Sequence, residues 1–126
     1  RNGDPATVSD RTDPETFHVV PTLWWERDDR DQYADVCEGL VTTFDDLRRY
    51  GSAQFALSAV ATGAVEAAVS TEPAHPWDTV AGVALVRAAG GVVTDRHGER
   101  WHPDSESLVA SNGAAHETVR DALPEA

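Results

Sequence analysis

The stretch "HPWDTVAGVALVRAAGG", residues 75–91, combines one carboxylate with a nearly continuous apolar run. Asp78 directly precedes the run, which ends at Gly90-Gly91. Such a run predicts a buried helix over residues 79–89, ended by a glycine in the left-handed conformation. The position of Asp78 allows two interpretations, a helix N-cap or one ligand of a metal ion.

Strands and helices alternate on both sides of this helix. Runs of β-branched and aromatic residues predict strands, and helical apolar spacing predicts helices. The alternation predicts one layered α/β domain over residues 1–126. The predicted order is a strand at 17–25, a helix capped by Asp31, a short strand at 47–52, a helix from Ser52 to Gly63, a strand at 64–70, the helix at 79–89, a hairpin at 92–101, a strand at 107–111 and a helix at 114–123.

Apolar spacing also predicts which side of each helix is buried. The helix at 79–89 is apolar on nearly every side, so we expect it to be enclosed between the sheet and another layer. Gly39 predicts an early break in the first helix, whereas Gly82 allows a neighbour to approach closely. The positions predicted to be buried in the first two helices are Tyr33, Cys37, Leu40, Val41 and Phe44, and Phe55, Ala56, Ala59 and Val60.

The composition is that of an acidic protein. Aspartate and glutamate number 22 against ten basic residues, all arginine, which gives a net charge of −12. Such a composition is typical of a soluble protein from a high-salt cytoplasm, where salt screens carboxylate repulsion; an ordinary acidic protein is the alternative. The lack of a basic stripe argues against a nucleic-acid partner, and the longest apolar run is too short to span a membrane. Cys37, the only cysteine, excludes an internal disulfide.

Four segments resemble motifs of the inositol monophosphatase family, which includes archaeal-type fructose-1,6-bisphosphatases. "PWDTVAGVALVRAAGGVVTDRHGE" is similar to the family's second signature, W-D-x-x-A-G followed by an apolar helix, A-G-G and a strand. "RNGDPATVS" resembles the turn after its G-x-G-A strand, "LRRYGSAQFALSAVATGAVEA" its G-S-A helix and next strand, and "SLVASNGAAHETV" its closing strand and helix. The resemblance covers nearly all of residues 1–122 and implies a mixed, mostly parallel sheet flanked by helices.

The family's first metal motif does not occur in this sequence. That motif has the form D-P-(I/L)-D-(G/S)-T, with a glutamate upstream, and neither Asp4-Pro5 nor Asp13-Pro14 begins a match. The resemblance therefore implies that this chain is the C-terminal half of the family fold, without the metal-binding N-terminal half. We expect the 126-residue chain alone to bind Mg²⁺ weakly and to be inactive.

The resemblance implies roles for individual residues. The aspartate of the W-D pair ligates a catalytic Mg²⁺ near the phosphate ester, which gives that role to Asp78. The G-S-A segment lines the substrate pocket, which implies substrate contacts for Gly51, Ser52 and Ala53, while a plain helix cap stays an equal interpretation of Ser52.

Two further substrate contacts are expected beside this segment. Glu72 stands one residue away from the family position whose glutamate binds substrate hydroxyls. Either Arg48 or Arg49 could bind a second phosphate, and a surface salt bridge is the alternative.

The resemblance as a whole implies part of a Mg²⁺-dependent, lithium-sensitive phosphomonoesterase. Its substrate would be inositol monophosphate or fructose 1,6-bisphosphate, and its assembly a cytoplasmic homodimer. The alternative is a non-catalytic binding or assembly module that keeps half of the fold. In either case an isolated half is expected to expose an apolar patch.

Overall fold

The computed structural model describes residues 6–22, 27–50, 52–73 and 76–124, with the backbone alone for residues 76–78. In these ranges five strands form one sheet, covered by four α-helices. The strands are β1 (His18–Pro21), β2 (Asp46–Leu47), β3 (Ala67–Ser70), β4 (Val92–Thr94) and β5 (Leu108–Ser111), and the helices are α1 (Arg30–Thr43), α2 (Ala53–Ala61), α3 (Pro76–Ala88) and α4 (His116–Asp121).

The sheet has the strand order β2-β1-β3-β5-β4. β1 pairs in parallel with β2 and β3, whereas β5 pairs antiparallel with β3 and β4. Ala68 of β3 faces Ala110 of β5, which in turn faces Val93 of β4. The sheet is therefore mixed, and the predicted α/β class is confirmed.

Alternate residues of the central strands contribute to two separate cores, as the pleat of a strand requires. One core lies on the α2–α3 face of the sheet and the other on the α1–α4 face. Helices cover both faces, so the molecule is a three-layer sandwich. The core of the α2–α3 face includes Val20, Leu57, Val60, Ala68, Val83, Val86 and Leu108, and that of the α1–α4 face includes Phe17, Val19, Val36, Leu40, Val69, Val109 and Val119.

Two helices begin earlier than predicted. α3 begins at Pro76, so Asp78 is its third residue and is not its N-cap. A proline suits the first helical position because it needs no hydrogen-bonding N–H there. α1 begins at Arg30, which places Asp31 inside the first turn, and Asp29 occupies the cap position without a side-chain hydrogen bond.

The buried side of α1 differs from the predicted stripe. Leu40 and Phe44 are buried as predicted, but Cys37 is only partly buried and Val41 is 52% exposed. Val36, which the prediction omitted, is fully buried. Val36 and Leu40 lie one helical turn apart on the same side of α1. The buried side of α1 is therefore displaced by about one residue from the side that the sequence predicted.

The outer surfaces of α2 and α3 are less buried than predicted. Phe55 is 62% exposed, and Leu57 is buried instead. On α3, Val83 and Val86 are buried, but Val80 and Leu85 are 45% and 40% exposed. α3 is therefore buried on one side only. Its outer apolar strip consists of Val80, Ala81, Ala84, Leu85 and Ala88.

The two helical glycines mark close contacts between helices. α1 does not break at Gly39. A Cβ atom there would lie 1.8 Å from the carbonyl oxygen of Ala122, the C-cap of α4, so glycine is needed for the packing of these two helices. A Cβ at Gly82 would lie 2.6 Å from Cδ1 of Leu57, which confirms the predicted close approach.

The C-terminal elements agree with the sequence analysis in outline. Gly90, at φ 98°, ends α3 as predicted. An isolated bridge between Thr94 and Arg100 closes the predicted hairpin, with Gly98 at φ 89° in its turn. None of the helices in the described ranges has the length and hydrophobicity that crossing a bilayer requires.

Candidate functional site

One edge of the sheet holds the backbone of four predicted site residues, Ser52, Ala53, Glu72 and Asp78. β1 and β3 are parallel and end together, at Pro21 and Ser70. α3 follows β3 after a short loop, and α2 follows β2, which is parallel to β1. The N-termini of α2 and α3 therefore belong to the edge where the parallel strands end, which is the usual location of ligand sites in α/β sheets.

Ser52 is the N-cap of α2. Its hydroxyl oxygen accepts a hydrogen bond from the backbone N–H of Phe55 at 3.2 Å, and its backbone is extended. This confirms the capping interpretation and leaves a substrate contact untested. Ala53 is the buried first residue of the helix, and Gly51 lies outside the described residues.

The turn after β3 holds the backbone of Glu72 at the same edge. The hydroxyl of Ser70 accepts from the N–H of Glu72 at 3.0 Å and donates to its carbonyl oxygen at 3.2 Å. The hydroxyl of Thr71 donates to Oε1 of Gln32 on α1 at 2.7 Å. Three side chains thus fix this turn, and Glu72 is partly buried beside it.

Arg49 connects three elements at this edge. Its Nη1 donates to the carbonyl oxygen of Pro21 at 2.8 Å, and its guanidinium carbon lies 5.6 Å from the ring centre of Tyr33. Burial raises the pKa of Tyr33, the nearby Cys37 raises it further, and Arg49 opposes the shift. The segment before α2 is therefore attached to the end of β1 and to α1. Arg48, by contrast, lines a pocket at the opposite edge.

Asp78 is placed in the first turn of α3 by its backbone. Its side chain is outside the described set, so the structure does not test its metal-binding role. Among the side chains that are described, no three His, Cys, Asp or Glu residues are grouped so that they could hold a metal ion. A Mg²⁺ site would need oxygen ligands beyond this described set.

Comparison with known proteins identifies the family. A family model described as "Inositol monophosphatase family" matches residues 1–126. The chain belongs to the inositol monophosphatase family. The resemblance stated from the sequence motifs is therefore confirmed.

Several members of the inositol monophosphatase family are similar to this chain. A probable inositol 1-monophosphatase of Mycobacterium tuberculosis is 44% identical over 88 residues, which cover 70% of this chain and 32% of that protein. A fructose-1,6-bisphosphatase/inositol-1-monophosphatase of Thermotoga maritima is 38% identical over 73 residues, covering 58% of this chain and 28% of that protein. An inositol monophosphatase structure from Anabaena superposes with a TM-score of 0.85 at 32% identity, covering 98% of this chain and 50% of that one. The chain thus spans about a third of these two curated relatives and half of the solved structure.

Arg49 is expected to stabilise this family member more than its neighbour Arg48. Replacing Arg49 with alanine removes a hydrogen bond to a carbonyl and a cation–π contact, which should lower the free energy of unfolding by about 1–2 kcal/mol. Arg48→Ala is the matched control, with an expected change below about 0.5 kcal/mol. Urea denaturation measures both, and equal effects would remove the structural role assigned to Arg49.

His116 is the centre of a partly buried polar network that was not predicted from the sequence. Thr94 Oγ1 donates to the carbonyl oxygen of Asp95 at 2.7 Å, so it accepts from Nε2 of His116 at 2.8 Å. The lowered pKa of His116, about 4, keeps the imidazole neutral at neutral pH, so its one proton lies on Nε2 and Nδ1 accepts from Ser111 Oγ at 2.6 Å. Ser111 Oγ in turn accepts from the N–H of Gly113 at 3.0 Å. The network joins β4, β5 and α4, and no local sequence signal reveals it.

The His116 network is expected to make stability depend on pH. Burial, with a contribution from Arg120, lowers the pKa of His116 from 6.5 to about 4. Because the folded pKa is depressed, the contribution of His116 is complete above pH 6.5 and is lost as the pH falls towards about 4. After allowance for solvent screening, this loss is about 1–2 kcal/mol.

Chemical denaturation at a series of pH values tests the contribution of His116. His116→Gln should remove this part of the pH dependence, although it should also lower stability at neutral pH. His102→Gln, at an exposed position, should leave the profile as in the wild type. A wild-type slope that persists in His116→Gln would assign the pH dependence to other groups.

Proposed function

We propose that this chain supplies the C-terminal half of a Mg²⁺-dependent phosphomonoesterase. The observation that carries the proposal is the common edge at which β1 and β3 end and α2 and α3 begin. Family membership over residues 1–126 supports the same reaction class. In this proposal the half contributes Asp78 as one metal ligand, together with part of the substrate pocket.

The chemistry assigned to this half is binding and orientation. Helix N-termini present free N–H groups and a positive dipole end, which favour a phosphate group. Asp78 lies in the first turn of α3, where a carboxylate could reach a metal ion near such a phosphate. Bound there, Mg²⁺ would supply an activated water and charge stabilisation at the leaving oxygen of the ester. The remaining metal ligands would come from outside this chain.

The rest of the pocket would recognise the hydroxyl groups of the substrate. The segment of Gly51, Ser52 and Ala53 leads into α2, and Glu72 follows β3 at the same edge. Arg49 holds the segment before α2 in place through its hydrogen bond to Pro21 and its contact with the ring of Tyr33. We therefore assign Arg49 a positioning role in place of a direct contact with a second phosphate.

Phosphate release by the complete protein that carries this chain tests the proposal. With Mg²⁺ present, we expect hydrolysis of inositol monophosphate or fructose 1,6-bisphosphate, with inhibition by Li⁺, and no hydrolysis by residues 1–126 alone. The relatives from Mycobacterium tuberculosis and Thermotoga maritima are named for these activities. A complete, folded protein that releases phosphate from neither substrate would overturn the proposal.

We further propose that the protein works in a high-salt cytoplasm, as in halophilic archaea, and forms a homodimer. The net charge of −12 supports this setting, because unscreened carboxylates repel one another. Raising KCl from about 0.1 M to about 2 M should therefore raise the melting temperature by about 10 °C. An equal osmolality of sucrose is the control. A melting temperature that is independent of KCl would contradict the halophilic setting, and light scattering tests the dimer.

The alternative function, a binding or assembly module without catalysis, is favoured by one observation. Phe55 of α2 and the outer apolar strip of α3 lie on the surface of the described structure. An exposed apolar patch of this kind is typical of an interaction surface. Reading the coding sequence upstream of Arg1 separates the alternatives. An open frame that contains an acidic D-P-x-D-G-T motif favours the enzyme, and a start codon directly upstream favours the module.

A further inference from the structure

A second pocket lies at the opposite edge of the sheet, where β1, β2 and β3 begin. Its volume is about 440 Å³, and polar side chains form most of its wall. This volume is within the range of small-molecule sites, which are about 300–1,000 Å³. The residues assigned to the phosphatase site lie at the other edge, so this pocket is separate from that site.

A buried carboxylate lines the pocket. Glu66 is only 4% exposed. Its Oε1 accepts a hydrogen bond from the backbone N–H of His18 at 2.7 Å. Its Oε2 lies 3.9 Å from Nε of Arg11, which is too far for a hydrogen bond. Within the described residues, Oε2 therefore has no hydrogen-bond donor, and since Glu66 lines the pocket, a ligand there could donate to it.

Two guanidinium groups, those of Arg11 and Arg48, also line the pocket. The side chain of Arg11 is 58% exposed and has only the long contact with Glu66. No hydrogen bond or ion pair of the Arg48 side chain occurs among the described residues. Asp45, a further carboxylate in the wall, is already paired with Nε2 of His18 at 2.9 Å. The pocket thus offers one buried carboxylate, Glu66, the exposed carboxylates of Glu15 and Asp45, and two guanidinium groups with few contacts.

This arrangement fits a ligand with two opposite charges. An ammonium group donates hydrogen bonds and suits Glu66, and the nearby C-terminal end of α2 adds a partial negative charge. A carboxylate or phosphate group suits Arg11 and Arg48. A bare metal ion does not fit, because no three His, Cys, Asp or Glu side chains are suitably grouped in the described part of the chain.

We propose that this pocket binds a small zwitterion that carries an ammonium group and an anionic group a few bonds apart. The ammonium donates to Oε2 of Glu66, and the anionic group contacts Arg48 and Arg11. Amino acids and aminoalkyl phosphates share this chemistry. The proposal does not depend on the phosphatase activity.

Calorimetric titration of the complete protein with four probes tests the proposal. Glycine represents the amino acids and phosphoethanolamine the aminoalkyl phosphates, while ethanolamine and acetate each carry only one of the two charges. We expect at least one zwitterion to bind about tenfold more tightly than either singly charged probe. In NMR spectra, the same zwitterion should shift the backbone amide signal of His18.

Variants test the carboxylate and the guanidinium groups of the pocket separately. Glu66→Gln and Arg48→Gln should each weaken zwitterion binding about tenfold, whereas Arg100→Gln, on the exposed hairpin, should leave it unchanged. Arg48→Gln keeps the test valid if Glu66→Gln fails to fold. Absence of zwitterion binding, or binding that Arg48→Gln leaves unchanged, would overturn the proposal.

Discussion

Replacing Asp78 with asparagine in the complete protein is expected to lower the rate of phosphate release by about 10²–10³-fold. Asparagine keeps the size of the side chain but removes the negative charge that a Mg²⁺ ligand supplies. Losing several kcal/mol of transition-state stabilisation at a metal site corresponds to a rate effect of about this size. Steady-state kinetics over a range of Mg²⁺ concentrations measure the effect.

The Mg²⁺ dependence distinguishes a metal ligand from a residue that only stabilises the helix. A lost ligand should raise the Mg²⁺ concentration needed for half-maximal activity. Loss of a charge in the first turn of α3 should change stability by only about 0.5 kcal/mol. Asp35→Asn, at an exposed position of α1, is the matched control for charge and should retain activity. Full activity in Asp78→Asn would contradict the role of Asp78 as a metal ligand. It would also remove the main reason to assign this half a part in catalysis.

Local signals in the sequence were sufficient for the fold class and for the cap of α2. Ser52 caps because its hydroxyl needs only the N–H groups of its own helix. Gly82 indicated a close contact because a missing side chain in an apolar helix leaves space for a neighbour. Motif order then indicated the family, which the match over residues 1–126 confirms.

Features that depend on tertiary contacts were not predictable from the sequence. Phe55 and Leu85 are apolar but exposed, and helical spacing does not show which apolar residues face solvent when a helix is apolar all round. The partners of His116 lie on two strands: Ser111 is five residues away, but Thr94 is 22 residues away and reaches His116 only because β4 pairs with β5. The pocket beside Glu66 likewise forms only when the starts of three strands meet, so no local pattern indicates it.

Gly39→Ala is expected to lower the free energy of unfolding by about 2 kcal/mol and the melting temperature by about 10 °C. Helix propensity alone predicts the opposite sign, because alanine stabilises a helix interior by about 1 kcal/mol relative to glycine. The added Cβ would lie 1.8 Å from the carbonyl oxygen of Ala122. That backbone atom cannot move without shifting the end of α4, so the steric cost is expected to exceed the gain in propensity.

Two comparisons show whether the contact with Ala122 is the cause. In Gly82→Ala, the nearest atom is Cδ1 of the Leu57 side chain, at 2.6 Å. Cδ1 can turn away, but the Cβ of Leu57, at 2.8 Å, is fixed to the backbone, so α2 must also shift slightly. Because this overlap is smaller than the one at Gly39, we expect a smaller loss of about 1 kcal/mol. Asp35→Ala, at an exposed position of α1, reports propensity without a new contact and should change stability by less than about 0.5 kcal/mol. Urea denaturation ranks the three variants by their loss of unfolding free energy. If Gly39→Ala instead stabilised the protein, α1 and α4 would not pack as closely as described.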